Sequence, residues 1–201
     1  MMLNSFPQEV LQNECHSIVR EVLGDSYINV SIRHFSLTED DLEKITCVNC
    51  EIVFSDGRRE DICGSGHGMV DALFNSIIQK YSDKYISLNQ VVFDDFTMRV
   101  DFKSAGARST DSPVEIKLAL KANTRQQQNI YFSATSRSMV IASVSVIRDA
   151  FEYFVNAESA VLLLKENIND AALRNRRDLH ERYVSQLSRL VRIISYEDVL
   201  H

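Results

Sequence analysis

Residues 64–81, GSGHGMVDALFNSIIQKY, carry three alternating glycines directly before an apolar pattern of helical period. Glycine is favoured where the backbone takes a positive φ or where another group comes close, so the run predicts a shaped turn between a strand and a helix. A helix start presents unpaired N–H groups at the positive end of the helix dipole, which suit a carboxylate or phosphate. The turn is therefore either an anion-binding site or a tight connection whose amides are capped internally or by water.

The composition is that of an ordinary globular protein. The 201 residues, 45% of them hydrophobic, suffice for one well-buried domain with extensions or for two small ones. No apolar run reaches the roughly 18 residues of a membrane helix, and the start MMLNSFPQEV does not resemble a signal peptide, so we expect no membrane partner and a cytoplasmic location. A net charge of −6 argues against nucleic acid as a partner, because phosphates are held by surplus Lys and Arg.

The four cysteines are Cys15, Cys47, Cys50 and Cys63. Cys47 and Cys50 have the C-x-x-C spacing of a zinc knuckle or redox pair, but they lie in ITCVNCEIVF, which alternates like a strand. Positions three apart on a strand face opposite sides and would not converge on one metal. We therefore predict buried thiols and no metal site.

The first part of the chain predicts a helix followed by a half-buried strand. The helix covers residues 7–23, ends before Gly24, and has an apolar stripe of Val10, Leu11, Ile18, Val19, Val22 and Leu23. From Tyr27 to Leu37 the residues alternate, with Ile28, Val30, Ile32 and His34 on the apolar side. A lone histidine in such a row predicts a hydrogen-bonded core side chain rather than a ligand.

Two further strands and the helix of residues 64–81 complete a βββα unit. A strand is predicted from Ile45 to Phe54, with Val48, Cys50, Ile52 and Phe54 on its apolar face. Residues 55–57, SDG, predict a hairpin turn, and residues 58–63 the returning strand. The buried face of the helix is predicted to comprise Val70, Leu73, Phe74, Ile77, Ile78 and Tyr81.

The same order then repeats, displaced by roughly 67 residues. Strands are predicted from Leu88 to Phe102, Val114 to Leu120 and Asn129 to Phe132, and a helix begins near Ser138 with the face Val140, Ile141, Val144, Ile147, Phe151 and Phe154. The second turn, SATSRSM, has small hydroxyl residues in place of glycines. The repeat predicts an α+β fold of two like units packed about a pseudo-twofold axis.

The domain organisation follows from this repeat. Residues 1–26 form an N-terminal helix, residues 27–156 the duplicated domain with units of about 27–85 and 86–156, and residues 157–201 a C-terminal helical extension. Within the extension, residues 158–166 look helical and residues 167–170, NIND, predict a break. A narrow seam then recurs at helical spacing: Leu179, Tyr183, Leu187, Leu190 and Ile194. The seam either lies on the domain or packs against a second copy.

This last segment contains six arginines: Arg174, Arg176, Arg177, Arg182, Arg189 and Arg192. Nearby acidic residues, among them Glu166 and Asp178, partly balance them. A charge-rich helix of this kind is typical of a solvated surface, and we predict no nucleic-acid contact there.

Two segments carry a family resemblance. Residues 66–72, GHGMVDA, resemble the G-x-G-P-V-D-A turn and helix start in the C-terminal regulatory domain of α-isopropylmalate synthase and citramalate synthase. Residues 139–143, MVIAS, and 148–153, RDAFEY, are similar to the second helix of that domain. The resemblance spans roughly residues 27–156. Met69 replaces the family proline, and the second turn lacks the usual glycine.

The resemblance implies an allosteric, dimer-forming domain. In the family, this domain binds leucine or isoleucine near the interface of two copies and feedback-inhibits a separate catalytic barrel. The positions that match the family motifs are implied as effector-binding residues: Gly66, His67, Gly68 and Asp71 at the first turn, and Ser136, Ser138 and Ala142 at the second. Asp71 is also explained simply by the preference for a carboxylate in the first turn of a helix.

The synthase chemistry has no counterpart in the sequence. The family barrel holds a divalent metal through an H-x-H pair, whereas the five histidines here are isolated: His16, His34, His67, His180 and His201. A barrel of roughly 250 residues also does not fit beside the duplication. Neither a G-x-S-x-G motif nor a G-K-[ST] phosphate loop occurs.

Three functions therefore compete. The first is a regulatory domain that needs no cofactor, dimerises, senses leucine or isoleucine and acts on a synthase catalytic chain. The second is a dimeric scaffold or partner-binding protein that kept the fold and lost the ligand. The third is an enzyme with an unrecognised site in the cleft between the units.

Overall fold

The computed structural model describes residues 5–100, 112–122 and 129–194. These residues form two βββα units, with one helix before the first unit and one after the second. The elements of the first half are α1 Ser5–Leu23, β1 Val30–Asp40, β2 Ile45–Phe54, β3 Arg59–Gly66 and α2 Met69–Tyr81. Those of the second half are β4 Val91–Val100, β5 Val114–Ala122, β6 Asn129–Ser136, α3 Met139–Leu173 and α4 Arg177–Ile194.

The predicted α+β class and the duplication are confirmed. Each unit has one antiparallel sheet, in the order β1-β2-β3 or β4-β5-β6. Equivalent elements start 70 positions apart from the third strand onward: Arg59 and Asn129 open these strands, and Met69 and Met139 open the helices. The predicted strand from Leu88 begins instead with a short 3₁₀ segment, Ile86–Gln90, and its predicted end at Phe102 lies outside the described residues.

Strand β2 forms where alternation predicted it. Its apolar face is buried at Val48, Cys50, Ile52 and Phe54, because α2 packs on β2 and β3 from that side. The opposite face carries polar residues such as Asn49 and Glu51. This alternation of buried and polar residues fixes the register, since a slip by one residue would expose the whole apolar row.

Strand β1 departs from its predicted alternation. The pairing with β2 shifts between Arg33 and Ser36, and His34 lies in this bulge with φ +53. The bulge turns Phe35 toward the core and leaves His34 exposed. The prediction of a core histidine is therefore wrong, because a bulge inserts one residue and shifts the alternation beyond it.

Helix α3 starts after Ser138 as predicted but runs without interruption to Leu173. The predicted break at residues 167–170 is wrong, since Leu164 and Ala171 on either side of it are buried and the helix packs against α4. Asn175, the residue after the C-cap Arg174, takes the left-handed conformation (φ +58), which commonly follows a helix end. The predicted boundary at residue 156 falls inside this helix.

Two residues assigned to buried helix faces are exposed. Val10 in α1 and Ile141 in the first turn of α3 are more than half accessible. Both lie toward the N-terminal ends of their helices, away from the packed positions such as Cys15 and Ile147.

The two units meet where α2 crosses α3. Tyr81 and Phe151 occupy equivalent positions, and their ring centroids are 4.9 Å apart. Phe74 of α2 also meets Phe93 of β4 edge to face at 5.2 Å. Together with the sheet faces these side chains form one hydrophobic core cluster.

Helices α1 and α4 lie on α3. Leu190 of α4 is fully buried. The arginines Arg182 and Arg189 bond Glu21 and Glu14 of α1 at 2.6 and 2.8 Å. Of the two predicted arrangements, the seam of α4 therefore lies on its own domain. None of the helices within the described residues is long and apolar enough to cross a membrane.

Polar side chains of α3 form hydrogen bonds with the backbone at the start of each unit. The carboxylate of Glu152 accepts the Val30 amide at 2.9 Å, and the Asn156 amide bonds both the N–H and the C=O of Ile28 at 2.8 Å. Glu158, only 3% exposed, accepts the backbone N–H groups of Ile86 and Ser87 at 3.0 and 2.9 Å. Buried polar groups are stable when paired in this way.

Candidate functional site

The glycine turn between β3 and α2 is shaped by close packing. A side chain at Gly66 would come within 2.7 Å of the Ala72 backbone nitrogen, and one at Gly64 would strike Ser76. Gly68, the residue before α2, is extended (φ 178) and faces open space. The turn is therefore built by close approach of strand and helix, and none of these three glycines lies in the left-handed region of φ.

Asp71 bonds within the turn. Its Oδ2 accepts the His67 backbone N–H at 2.9 Å, and its Oδ1 accepts a bond from the Asn75 amide at 2.7 Å. The His67 ring is exposed, with its Nδ1 4.0 Å from Asp71 Oδ2. The carboxylate thus caps the turn internally through the His67 amide, and the first N–H groups of α2 lie at the positive end of the helix dipole.

The second turn, between β6 and α3, is capped by its own hydroxyls. Ser138 Oγ accepts the Ile141 N–H at 3.3 Å, and Ser136 Oγ accepts the Ser138 N–H at 3.2 Å. Ala142, in the first turn of α3, is buried. The second turn therefore uses side-chain oxygens where the first uses glycine and Asp71.

A repeated tetrapeptide marks the equivalence of the turns. Residues 69–72, MVDA, and 139–142, MVIA, open the two helices. Met, Val and Ala match, while Asp71 corresponds to the exposed Ile141. Sequence reasoning did not use this signal, which gives the repeat spacing directly.

A narrow cleft lies between the two units. Its free volume is about 10 Å³, room for about one water molecule, and no polar atom reaches its surface. Its lining comes from both helices and from the start of the second unit: Phe74, Ile77, Ile78, Leu88, Val91, Ile147, Ala150, Phe151 and Phe154. None of the seven predicted effector-binding residues lines it.

The predicted residues thus form two separate groups, one at each turn, and neither group lines the cleft. Phe74, the cleft residue nearest to the glycine turn in sequence, lies about 9 Å along the helix axis from Gly68. Helical side chains lean toward the N-terminus, which shortens this gap.

The structure does not bring the C-x-x-C pair together. Cys47 and Cys50 face opposite sides of β2, as their spacing predicts: Cys50 is buried and Cys47 exposed. Burial raises the pKa of Cys15 to about 12 and that of Cys50 to about 11, so both stay protonated at neutral pH. Cys63 is exposed as well, so the expectation of four buried thiols is wrong for Cys47 and Cys63. Across the described part of the chain, no three His, Cys, Asp or Glu residues come together as metal ligands.

A comparison with models of protein families finds no match, and a comparison with curated proteins finds no relative.

The close approach at Gly66 predicts a stability effect. We expect Gly66→Ala to lower the free energy of unfolding by about 1–3 kcal/mol, because the added methyl group overlaps the Ala72 backbone and the Asp71 carboxylate. The matched control is Gly68→Ala, whose methyl group meets no atom within 4 Å and which we expect to change stability by less than about 0.5 kcal/mol. Urea unfolding of both variants measures the difference. Equal midpoints would contradict this account of the turn.

Proposed function

We propose that this chain is a non-catalytic regulatory domain that binds leucine or isoleucine and controls a synthase-type catalytic chain of branched-chain amino-acid biosynthesis. The observation that carries the proposal is the wholly apolar cleft between the two βββα units. The cleft of about 10 Å³ has room for about one water molecule, so a leucine-sized side chain enters it only when α2 and α3 move apart. Its burial would then contribute about 1.5–3 kcal/mol. A surface without polar atoms also disfavours polar amino acids, whose side chains would lose their hydrogen bonds to water.

The charged end of the effector is assigned to the glycine turn. The amides at the start of α2 suit its carboxylate, and the half-exposed carboxylate of Asp71 suits its ammonium group. Binding between turn and cleft would place the aliphatic side chain against Phe74. This assignment joins the first group of predicted residues, Gly66 to Asp71, to the cleft.

Regulation would follow from differential affinity. The cleft is lined by both units, so a ligand that fits one relative arrangement of α2 and α3 better than another shifts their equilibrium. In a homodimer that also contacts a catalytic chain, the same shift changes the affinity or activity of that chain.

Thermal unfolding with added amino acids tests the proposal. We expect leucine or isoleucine at 100 times its dissociation constant to add about 2.7 kcal/mol, a rise of roughly 5–10 °C in Tm. Valine should act more weakly and asparagine not at all. Gly68→Val should remove the shift but keep the fold, because its side chain enters open space in front of the turn. An equal Tm with all four amino acids would contradict the proposal, and an unchanged shift in Gly68→Val would contradict the assigned turn.

A dimeric scaffold without a ligand is the second candidate. The capping of both turns favours it, since Asp71 already accepts the His67 amide and Ser138 the Ile141 amide. The scaffold predicts self-association without any response to amino acids, so the thermal series separates the two functions.

A further inference from the structure

Strand β4 presents an apolar row that no helix of its own unit covers. Phe93, Phe96, Met98 and Val100 lie opposite the buried residues of β5, on the inner face of the second sheet. Helix α3 packs on β5 and β6 instead. Phe93, Met98 and Val100 consequently remain 36%, 50% and 39% exposed. An apolar row of this kind is typical of an interaction surface.

Strand β4 is also an open sheet edge. Within the described residues, the order β4-β5-β6 leaves one side of it without a partner strand. The other edges are modified: the Gln12 amide bonds both the C=O and the N–H of Tyr131 on β6, and Lys80 bonds the Asp61 carbonyl on β3. On β1, the Val30 amide is bound by Glu152. Strands β1 and β4 each carry a register shift, and the one in β4, between Phe93 and Asp95, lies just before the stretch 95–99. Among the described residues, the free edge of β4 receives no side-chain hydrogen bond, and such edges pair readily with another strand.

The sequence of β4 is complementary to itself. When two copies run antiparallel about Thr97, Phe96 lies opposite Met98, and Asp95 lies opposite Arg99. Opposed residues of antiparallel strands point to the same face, and this register keeps the apolar pairs on the inner face and the charged pairs on the outer face. Asp95 and Arg99 are both exposed and make no ion pair within the described chain.

We propose that β4 pairs with β4 of a second copy of this chain, which joins two three-stranded sheets into one of six strands. Each interface then contains two Asp95–Arg99 ion pairs, two Phe96–Met98 contacts and Thr97 on the twofold axis. A contact between the same patch on both copies closes on itself and gives a dimer. This inference names the surface of the dimer in the proposed function, but it needs no bound amino acid.

Charge exchange across the twofold axis tests this register. The wild-type protein, without amino acids, should sediment with twice the chain mass of 23.0 kDa. Arg99→Asp should weaken the dimer about 10-fold or more, because it opposes two pairs of acidic side chains. Asp95→Arg should weaken the dimer by a similar factor, because it opposes two pairs of basic side chains. The double variant D95R/R99D should recover the wild-type dissociation constant within about 3-fold.

The matched control is Arg33→Asp, the same change at an exposed arginine of β1, the edge strand of the first sheet. It should leave the dimer unchanged, and circular dichroism should show that all variants fold. A monomeric wild-type protein throughout the micromolar range would overturn the proposal. A double variant D95R/R99D that dimerises as weakly as the single variants would also overturn it, because Asp95 and Arg99 would then not be paired. An equal loss of dimer in Arg33→Asp would overturn it too, because the contact would then not be specific to β4.

Discussion

Phe151→Ala is expected to lower the free energy of unfolding by about 3–5 kcal/mol. The side chain is only 4% exposed, contacts Tyr81 across the crossing of α2 and α3, and lines the cleft between the units. The loss combines the burial energy of the deleted aromatic ring with the cost of the cavity that its removal leaves between α2 and α3. Equilibrium urea unfolding, followed by circular dichroism, measures the change.

Leu162→Ala is the matched control for this variant. Leu162 lies on the same helix but is 47% exposed, so we expect its truncation to cost less than about 1 kcal/mol. A loss in Phe151→Ala no larger than that of Leu162→Ala would show that the crossing does not hold the two units together. Two separate unfolding transitions in the wild-type protein would also show that the crossing does not hold the two units together.

Glu158→Ala is expected to lower the free energy of unfolding by about 2–4 kcal/mol. The change leaves the backbone N–H groups of Ile86 and Ser87 without their carboxylate acceptor. The Ser87 bond is buried and the Ile86 bond partly buried, and an unpaired buried donor costs about 1–3 kcal/mol. Hydrogen exchange adds a local readout. The amides of Ile86 and Ser87 should lose protection first, since Glu158 fixes the segment that leads into β4.

The control for this prediction is Glu166→Ala on the same helix. Glu166 is exposed, and its truncation should change stability by less than about 0.5 kcal/mol. If Glu158→Ala were as mild as Glu166→Ala, the carboxylate would not be the anchor of the second unit.

Local patterns predicted most of the elements. Strand β2 has the predicted bounds, because its alternation of buried and polar positions continues without interruption from Ile45 to Phe54. The glycine turn was predicted for the correct reason at Gly66, where strand and helix approach closely. The duplication was visible because each unit must bury one sheet face under one helix.

Errors arose where tertiary contacts override local preference. His34 follows the apolar row in sequence, but the bulge after Arg33 exposes it. The residues NIND at 167–170 resemble a helix break, yet the helix continues because Leu164 and Ala171 pack on either side. Neither outcome is encoded within a window of a few residues.

The contacts of α3 were beyond sequence reasoning altogether. Asn156 and Glu158 read as ordinary helical residues, and their partners Ile28 and Ile86 lie 128 and 72 positions away. The apolar cleft is likewise assembled from both units and has no local signature. The seven predicted effector-binding residues come from resemblance, and they lie at the two turns and outside the lining of this cleft.

The most direct test of the proposed function is a titration of the ¹⁵N-labelled protein with leucine and with isoleucine, followed by two-dimensional NMR. We predict saturable shifts at the amides of Gly66, His67 and Gly68 and at residues that line the cleft, such as Phe74 and Ile147. The midpoint of the titration gives the dissociation constant. Unchanged spectra with both amino acids at about 10 mM, where even a millimolar site would be mostly filled, would contradict the proposed regulatory function.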